Sequence, residues 1–319
     1  MSTGINAQIG YVAESTYGTG AVVTRFIPLV SESLSNEIEA VESAGILAGR
    51  HVMTSQQWAQ GNKTISGDIQ HELYDQSLGL LLRAAFGTVT TTAAGGGTAV
   101  HTFFPATPSV SLTTQIGRPT TYGSVIPCTY TGVKVQSWEL AMEAGAIATW
   151  GMTVAGQDEF LGTALAAVSY ATNLRPWVFK SAVISVDGTA CPVKSYSISG
   201  ENNLTDDRRY VGSTLIGEPL RGDLLNVTGE LTAEWGTPST MGTMNYDRFI
   251  RGTESTLIAT LTSGTLNGTI QANVRYDGST PQVSGRGIVE HSIPFKAVAS
   301  GSLDSHAITV SIRNNDATA

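Results

Sequence analysis

The sequence predicts a mainly β protein with short helices, built as two tandem copies of one strand–helix module. Three observations predict it. Glycine is abundant, at 35 of 319 residues, and Lys is scarce while Thr, Ser, Val and Ile are plentiful, a mix suited to strands joined by turns. Several segments, VKVQSWELAM clearest among them, alternate apolar and polar residues with a period of two. A strand–helix unit also occurs twice. Thr64 to Phe86 reads TISGDIQHEL and then YDQSLGLLLRAAF, and Asn226 to Arg251 reads NVTGELTAEW, a loop, and MNYDRFIR. Setting Ile65-Ser66-Gly67-Asp68-Ile69 on Val227-Thr228-Gly229-Glu230-Leu231 separates the copies by 162 residues and drops Glu72 onto Glu234.

Taken in order, Ala7 to Val12 is a weakly alternating strand, and Ala21 to Ser35 reads as one extended strand with Pro28 marking an edge or a bulge. Its counterpart is Cys191 to Ser199, 164 residues after Ile27 to Ser35, with Pro28 on Pro192 and Glu37 on Glu201. Each copy then has a long, polar, Gly-punctuated loop, Glu39 to Gly61 and Asn202 to Gly222. Ile46, Leu47, Trp58, Tyr210, Leu215 and Ile216 are apolar residues that an idle loop would not need. Asp75 to Phe86 is a helix with Leu78, Leu81, Leu82 and Ala85 on one face, Asp75 as N-cap and Gly87 as its stop. The second helix is shorter, Asn245 to Arg251, with Phe249 and Ile250 as its apolar face. Thr88 to Gly97 reads as a flexible loop; its three glycines lack the Lys-Ser/Thr and helix start of a phosphate cradle. Gly132 to Ala155 is the strongest hairpin, matched in the second copy by Gly287 to Val298 and Ala307 to Asn314. Asp187-Gly188 and Asp277-Gly278 mark further turns. Alternation lapses over Gly156 to Pro176, which divides the chain into modules at 1–165 and 166–319.

The net charge of −8 and pI near 5.1 exclude a protein that grips nucleic acid through a basic stripe, and Asp206-Asp207-Arg208-Arg209 neutralises itself. Two cysteines are too few for a disulfide scaffold, which points to a reducing compartment. Neither a secretory signal nor an 18-residue apolar run is present, so no membrane contact is expected. His71-Glu72 begins a metalloprotease-like pattern, but Asp75 stands where the second His belongs. The remaining histidines are scattered, and all five are expected on the surface or on strand faces. No catalytic, metal or cofactor site is expected, and no cofactor.

The segments FIPLVSESLSNEIEAVESAG, GNKTISGDIQHELYDQSLGLLLRAAFG and WELAMEAGAIATWGMTVAG come in the order strand, long loop, strand, helix, hairpin. In this the chain resembles the major tail tube protein of long, flexible-tailed (siphovirus-type) bacteriophages. The resemblance implies two tandem β-barrel or sandwich modules, each with one flanking α-helix, in a virion protein assembled in the host cytoplasm, whose rings stack into a hollow conduit for DNA ejection. Two modules per chain imply a trimeric, pseudo-sixfold ring rather than a hexamer with a decorating second domain. It implies the tape measure, terminator and distal tail proteins as partners, and DNA passing non-specifically through the lumen. The long loops become candidates for contact between rings, through Glu39, Ile46, Leu47, Arg50, Trp58, Tyr210, Leu215 and Ile216. Asp68, Glu72, Glu230 and Glu234 share side-chain parity, a polar strand face for either lumen or subunit seam. The competing expectations are a β-rich capsid decoration or adhesin, a tube of a contractile or type VI-like injection system, and an unrecognised enzyme.

Overall fold

The computed structural model describes residues 3–236, 241–278, 280–283, 285–300 and 306–319; for residues 241–245 it describes the backbone. The chain opens with β1 (Gln8–Ala13), as its alternation predicts. The single strand expected over Ala21 to Ser35 is instead broken into β2 (Arg25–Phe26) and β3 (Ser31–Glu32). Pro28 has no amide to give to a ladder, and its carbonyl accepts the His71 Nδ1–H at 2.8 Å. β4 (Ser35–Glu42) and β5 (Trp58–Glu72) then pair as a long ribbon, so the loop expected over Glu39 to Gly61 shrinks to residues 43–57.

The first helix, α1 (Gly79–Phe86), begins four residues after the expected cap. Asp75 is not its N-cap: one carboxylate oxygen accepts the Arg175 amide at 3.1 Å and the other the Ser263 hydroxyl at 3.3 Å. Gly87 does end the helix, its amide bonding the Arg83 carbonyl. Leu78, Leu81 and Leu82 are buried, but so are Leu80, Ala84 and Phe86, so the helix is enclosed rather than laid on the core by one face; only Arg83 reaches solvent. The supposed loop at Thr88 to Gly97 is a strand, β6 (Gly87–Gly95), joined to β7 (Thr98–Pro105) by a glycine turn. Its Thr and Val content suits the pleated ladder, which overrides low complexity. Next come β8 (Leu112–Pro119), the 19-residue β9 (Val125–Glu143), β10 (Thr149–Gly156) and β11 (Asp158–Phe160); β9 and β10 form the predicted hairpin.

The second half contributes β12 (Ala182–Val186), β13 (Thr189–Cys191), β14 (Ser195–Glu201) and β15 (Asn226–Glu234). It continues with α2 (Met241–Arg251), β16 (Ser255–Ser263), β17 (Leu266–Tyr276), β18 (Glu290–Ala297) and β19 (Ile308–Asn314). At 11 residues α2 is longer than α1, not shorter. Phe249 packs against the core, but Ile250 is 64% exposed and no part of a core face. The helix is rolled by its Arg248–Asp187 ion pair (2.8 Å) and by Tyr246 edge-on to Trp235, which turns Ile250 outward. β18 and β19 do not form the expected hairpin. They lie end to end along β17, at Val274↔Ala297 and Ala272↔Ile308, because β18 is taken on its other flank by β15 and β19 by β7. Residues 301–305 of the joining segment lie outside the described residues.

Two sheets share β9. Its first half pairs with β8 in a small sheet with β1, β2 and β11, and its second half enters the large sheet. Gly132, at φ 65°, makes the crossing, a conformation an L side chain would strain. Its amide is held at 2.8 Å by Glu14, whose carboxylate also accepts the Gly18 amide and the Ser111 and Thr113 hydroxyls. The large sheet is not closed into a barrel. Its main wall runs β4–β5–β10–β9–β14–β15–β18, antiparallel throughout. Among the described residues, the two halves of the chain are thus sewn together by two strand pairings, β9–β14 and β7–β19, with isolated bridges at Tyr74↔Pro176 and Ile147↔Val178. Behind the wall, Trp138 stacks on Trp150 (centroids 5.7 Å apart) and against Phe86 of α1 (4.7 Å).

Candidate functional site

Register fixes which residues share the outer face of the wall. Glu72 opposes Thr149, Asp68 opposes Thr153, Gly151 opposes Glu139, Glu139 opposes Ser199, Ser197 opposes Glu230, and Glu234 opposes Glu290. Side chains at even positions of β5, β15 and β18 and at odd positions of β9, β10 and β14 therefore line one surface across both halves, while Ile69, Met152, Trp138, Leu140, Tyr196, Ile198, Leu231 and Ile293 line the buried one. The outer face is Ser, Thr and acid: Asp68, Glu72, Glu139, Glu143, Glu201, Glu230, Glu234 and Glu290. Lys296 lies on the same face, and Lys194 at its edge bridges Glu234 (3.2 Å) and Glu290. Asp68 accepts the Thr153 hydroxyl at 2.7 Å, Glu230 accepts that of Ser292, and Glu72 accepts that of Tyr74 at 2.8 Å. Sequence reasoning had Asp68, Glu72, Glu230 and Glu234, and the structure brings all four to this face. It missed Glu139, Glu143, Glu201 and Glu290, which the alternation of WELAME, SYSISGE and EHSIPFKA could have supplied. The face is concave, with a hollow of about 500 Å³ lined by Ser31, Asp68, Glu139, Thr153, Ser199 and Glu201.

The two long segments part ways. The β4–β5 ribbon runs past the wall: from Ile65, last to pair with β10, back to Trp58 is roughly 23 Å of strand. Its tip is apolar and exposed, with Ile46 at 96% and Leu47, Val52, Met53 and Trp58 also open to solvent; Glu39 and Arg50 are exposed as well. The second segment, 202–222, does not project. Asn202 is buried and donates to the Ala85 and Val135 carbonyls, and the buried Lys134 ammonium meets Glu218 at 2.7 Å and the Pro108 carbonyl at 3.0 Å. Arg209 bonds the Lys63 carbonyl, and the Lys63 amide bonds that of Thr214. Ile216 is accordingly 6% exposed and Leu215 half-buried, which removes Ile216 from any contact surface; Tyr210 remains exposed. The segment is a strap across the root of the ribbon, held there by cations that the sequence offered without partners.

The sequence profile described as phage tail tube protein matches residues 4–297. The chain belongs to the phage tail tube protein family. No curated protein sequence matches it. It is therefore a structural, non-enzymatic component of the phage virion, and its histidines fit that role. Three of the five, His71, His101 and His291, lie on strand faces, one of the two expected settings, and are buried there. His71 is wedged between the Tyr11 hydroxyl and the Pro28 carbonyl, both at 2.8 Å, and burial lowers its pKa to about 4. His101 bridges Thr91 and the Asp316 carbonyl. Among the described residues no group of three His, Cys, Asp or Glu could hold a metal ion, and no helix is long and apolar enough to cross a membrane. Both cysteines are free and buried, and desolvation raises their pKa.

Proposed function

We propose that three copies of this chain close into a pseudo-sixfold ring and that such rings stack into the hollow tail tube of a siphovirus-type phage, through which DNA is ejected. Residues 1–165 and 166–319 act as the two modules. The observation that carries this reading is the concave acidic face, continuous across strands of both halves. It suits a lumen that must pass a polyanion without holding it. The β9–β14 seam supports the ring: within one chain it joins the last wall strand of one half to the first of the next. The wall also ends in exposed edges, β4 on one side and residues 290–294 of β18 on the other. Antiparallel pairing of β18 with β4 of the next copy repeats the seam and closes a head-to-tail ring. The projecting ribbon reaches the neighbouring ring, and the tape measure, terminator and distal tail proteins meet the tube at its ends. Averaged electron micrographs of purified tails test this. Threefold rings with Asp68, Glu139, Glu201 and Glu230 facing a central channel are expected. Sixfold rings with one chain per position, or discrete monomers, overturn it.

A further inference from the structure

The wall has two rims, and the chain is finished differently at each. β5 enters the wall at Ile65, opposite Gly156, beside the root of the ribbon, and leaves it at Glu72, opposite Thr149. At the Glu72 end, Glu143 pairs with Ser195, and the turn after β9 meets the β12–β13 hairpin. Between them opens a groove of about 320 Å³ whose lining is mainly apolar, with Val183, Phe179, Cys191, Val193 and Tyr196; Glu143 and Lys194 also line it, and Lys194 is ion-paired to Glu234 and Glu290. Phe179 is 46% and Val183 55% exposed, a large apolar investment for a surface that faces only water. The ribbon tip has the complementary make-up. Ile46, Leu47, Val52 and Met53 are exposed, and Arg50 is the only formally charged residue in 43–57.

We propose that this groove receives the ribbon tip of a second copy of the chain in the adjacent ring, with Ile46 and Leu47 entering beside Val183 and Phe179 and Arg50 meeting Glu143. Three observations select that occupant over another protein. Tip and groove stand at opposite rims, so stacking rings in one direction brings them together. Apolar surface matches on both sides, and because Lys194 is taken up by Glu234 and Glu290, Glu143 is left to meet the Arg50 cation. The stoichiometry fits as well: of the two long segments the second is strapped down, so each chain offers the ribbon tip once and carries the β12–β13 groove once. Contact between a tip and a groove of different copies propagates without closing on itself, as a tube of many rings requires. The inference rests on the stacked-ring reading above and names its counter-surface.

Disulfide trapping in assembled tails tests it. Leu47→Cys and Val183→Cys are combined in a Cys191→Ser background, and tails are run on a denaturing, non-reducing gel. Covalent ladders longer than the three chains of one ring are expected from the double variant and absent from either single one. Tails of normal length without a ladder overturn the groove assignment. A second measurement separates it from the parent reading, using chains whose melting temperature stays at the wild-type value. Val183→Asp and the pair Ile46→Asp with Leu47→Asp are each expected to cut tail yield roughly tenfold or more, as loss of a buried anchor does. If the tip variant abolishes tails and Val183→Asp does not, the groove falls and the ribbon contact stands. If the tip variant leaves tails unchanged, the ribbon contact itself falls.

Discussion

His71 is fully buried on the inner face of β5, and its chemistry has a readable consequence. Its Nδ1 donates to the Pro28 carbonyl and its Nε2 accepts the Tyr11 hydroxyl, so the packed state requires the neutral ring. Burial sets its pKa near 4 against 6.5 for the unfolded chain. Between those values the unfolded state binds the proton and the folded state does not. The stability held above pH 6.5 is therefore lost progressively as pH falls toward 4, by on the order of 3 kcal/mol. Thermal melts from pH 7.5 to 4 are expected to show this loss, with a visibly shallower slope in His71→Gln, which melts lower at pH 7.5 but has no ring to protonate. Gly200 supplies a second prediction. It sits across the β9–β14 seam from Trp138, and a Cβ there would stand 2.4 Å from two ring atoms. The indole is clamped by Trp150 and Phe86 and has nowhere to retreat. Gly200→Ala is expected to cost about 1–3 kcal/mol in chemical denaturation, although Ala normally favours a strand over Gly.

The two helices show how far periodicity alone carries an element. In α1 the apolar spacing of Leu78, Leu81 and Leu82 marked a helix correctly, but not its enclosure by β1, β6, β7 and β9, which arrive from distant sequence. Leu81→Ala is expected to open a cavity and cost about 2–5 kcal/mol. In α2 the same reasoning paired Phe249 with Ile250, and the tertiary anchors at Asp187 and Trp235 chose Phe249 alone. Phe249→Ala is expected to destabilise by more than 1 kcal/mol and Ile250→Ala to stay within about 0.5 kcal/mol, measured on the same denaturation curve. The same division runs through the strands. The β9–β10 hairpin was legible because turn and alternation are local. β18 and β19 look equally like a hairpin, yet partners from β7 and β15 hold them in line. The strap at 202–222 was illegible for the same reason: Lys134 and Arg209 find their partners only after folding. Parity survived where register did not have to be known, so Asp68, Glu72, Glu230 and Glu234 could be grouped before any pairing was seen.

At the scale of the whole molecule the decisive quantity is the sign of charge on one face. A chain with net charge −8 could scatter its acids anywhere, but the wall collects eight of them opposite a layer that is apolar apart from His71 and His291. Glu139 and Glu201 lie near the β9–β14 seam, far from both edges of the wall, and no ion pair among the described residues involves either. Replacing them is therefore expected to leave ring closure untouched. In the proposed three-chain ring with this face inward, Glu139→Lys with Glu201→Lys would change the lumen by twelve charges per ring, four from each copy, and repeat that belt along the tube. Each lysine can neutralise a phosphate and release its counterions, so DNA retention should fall steeply with salt. The expected result is tails of normal length that eject DNA more slowly than wild type at low ionic strength and recover as salt is raised. Glu139→Gln with Glu201→Gln should fall between the two. Ejection kinetics that ignore both charge and salt would place the acidic face outside the conduit and turn the wall around.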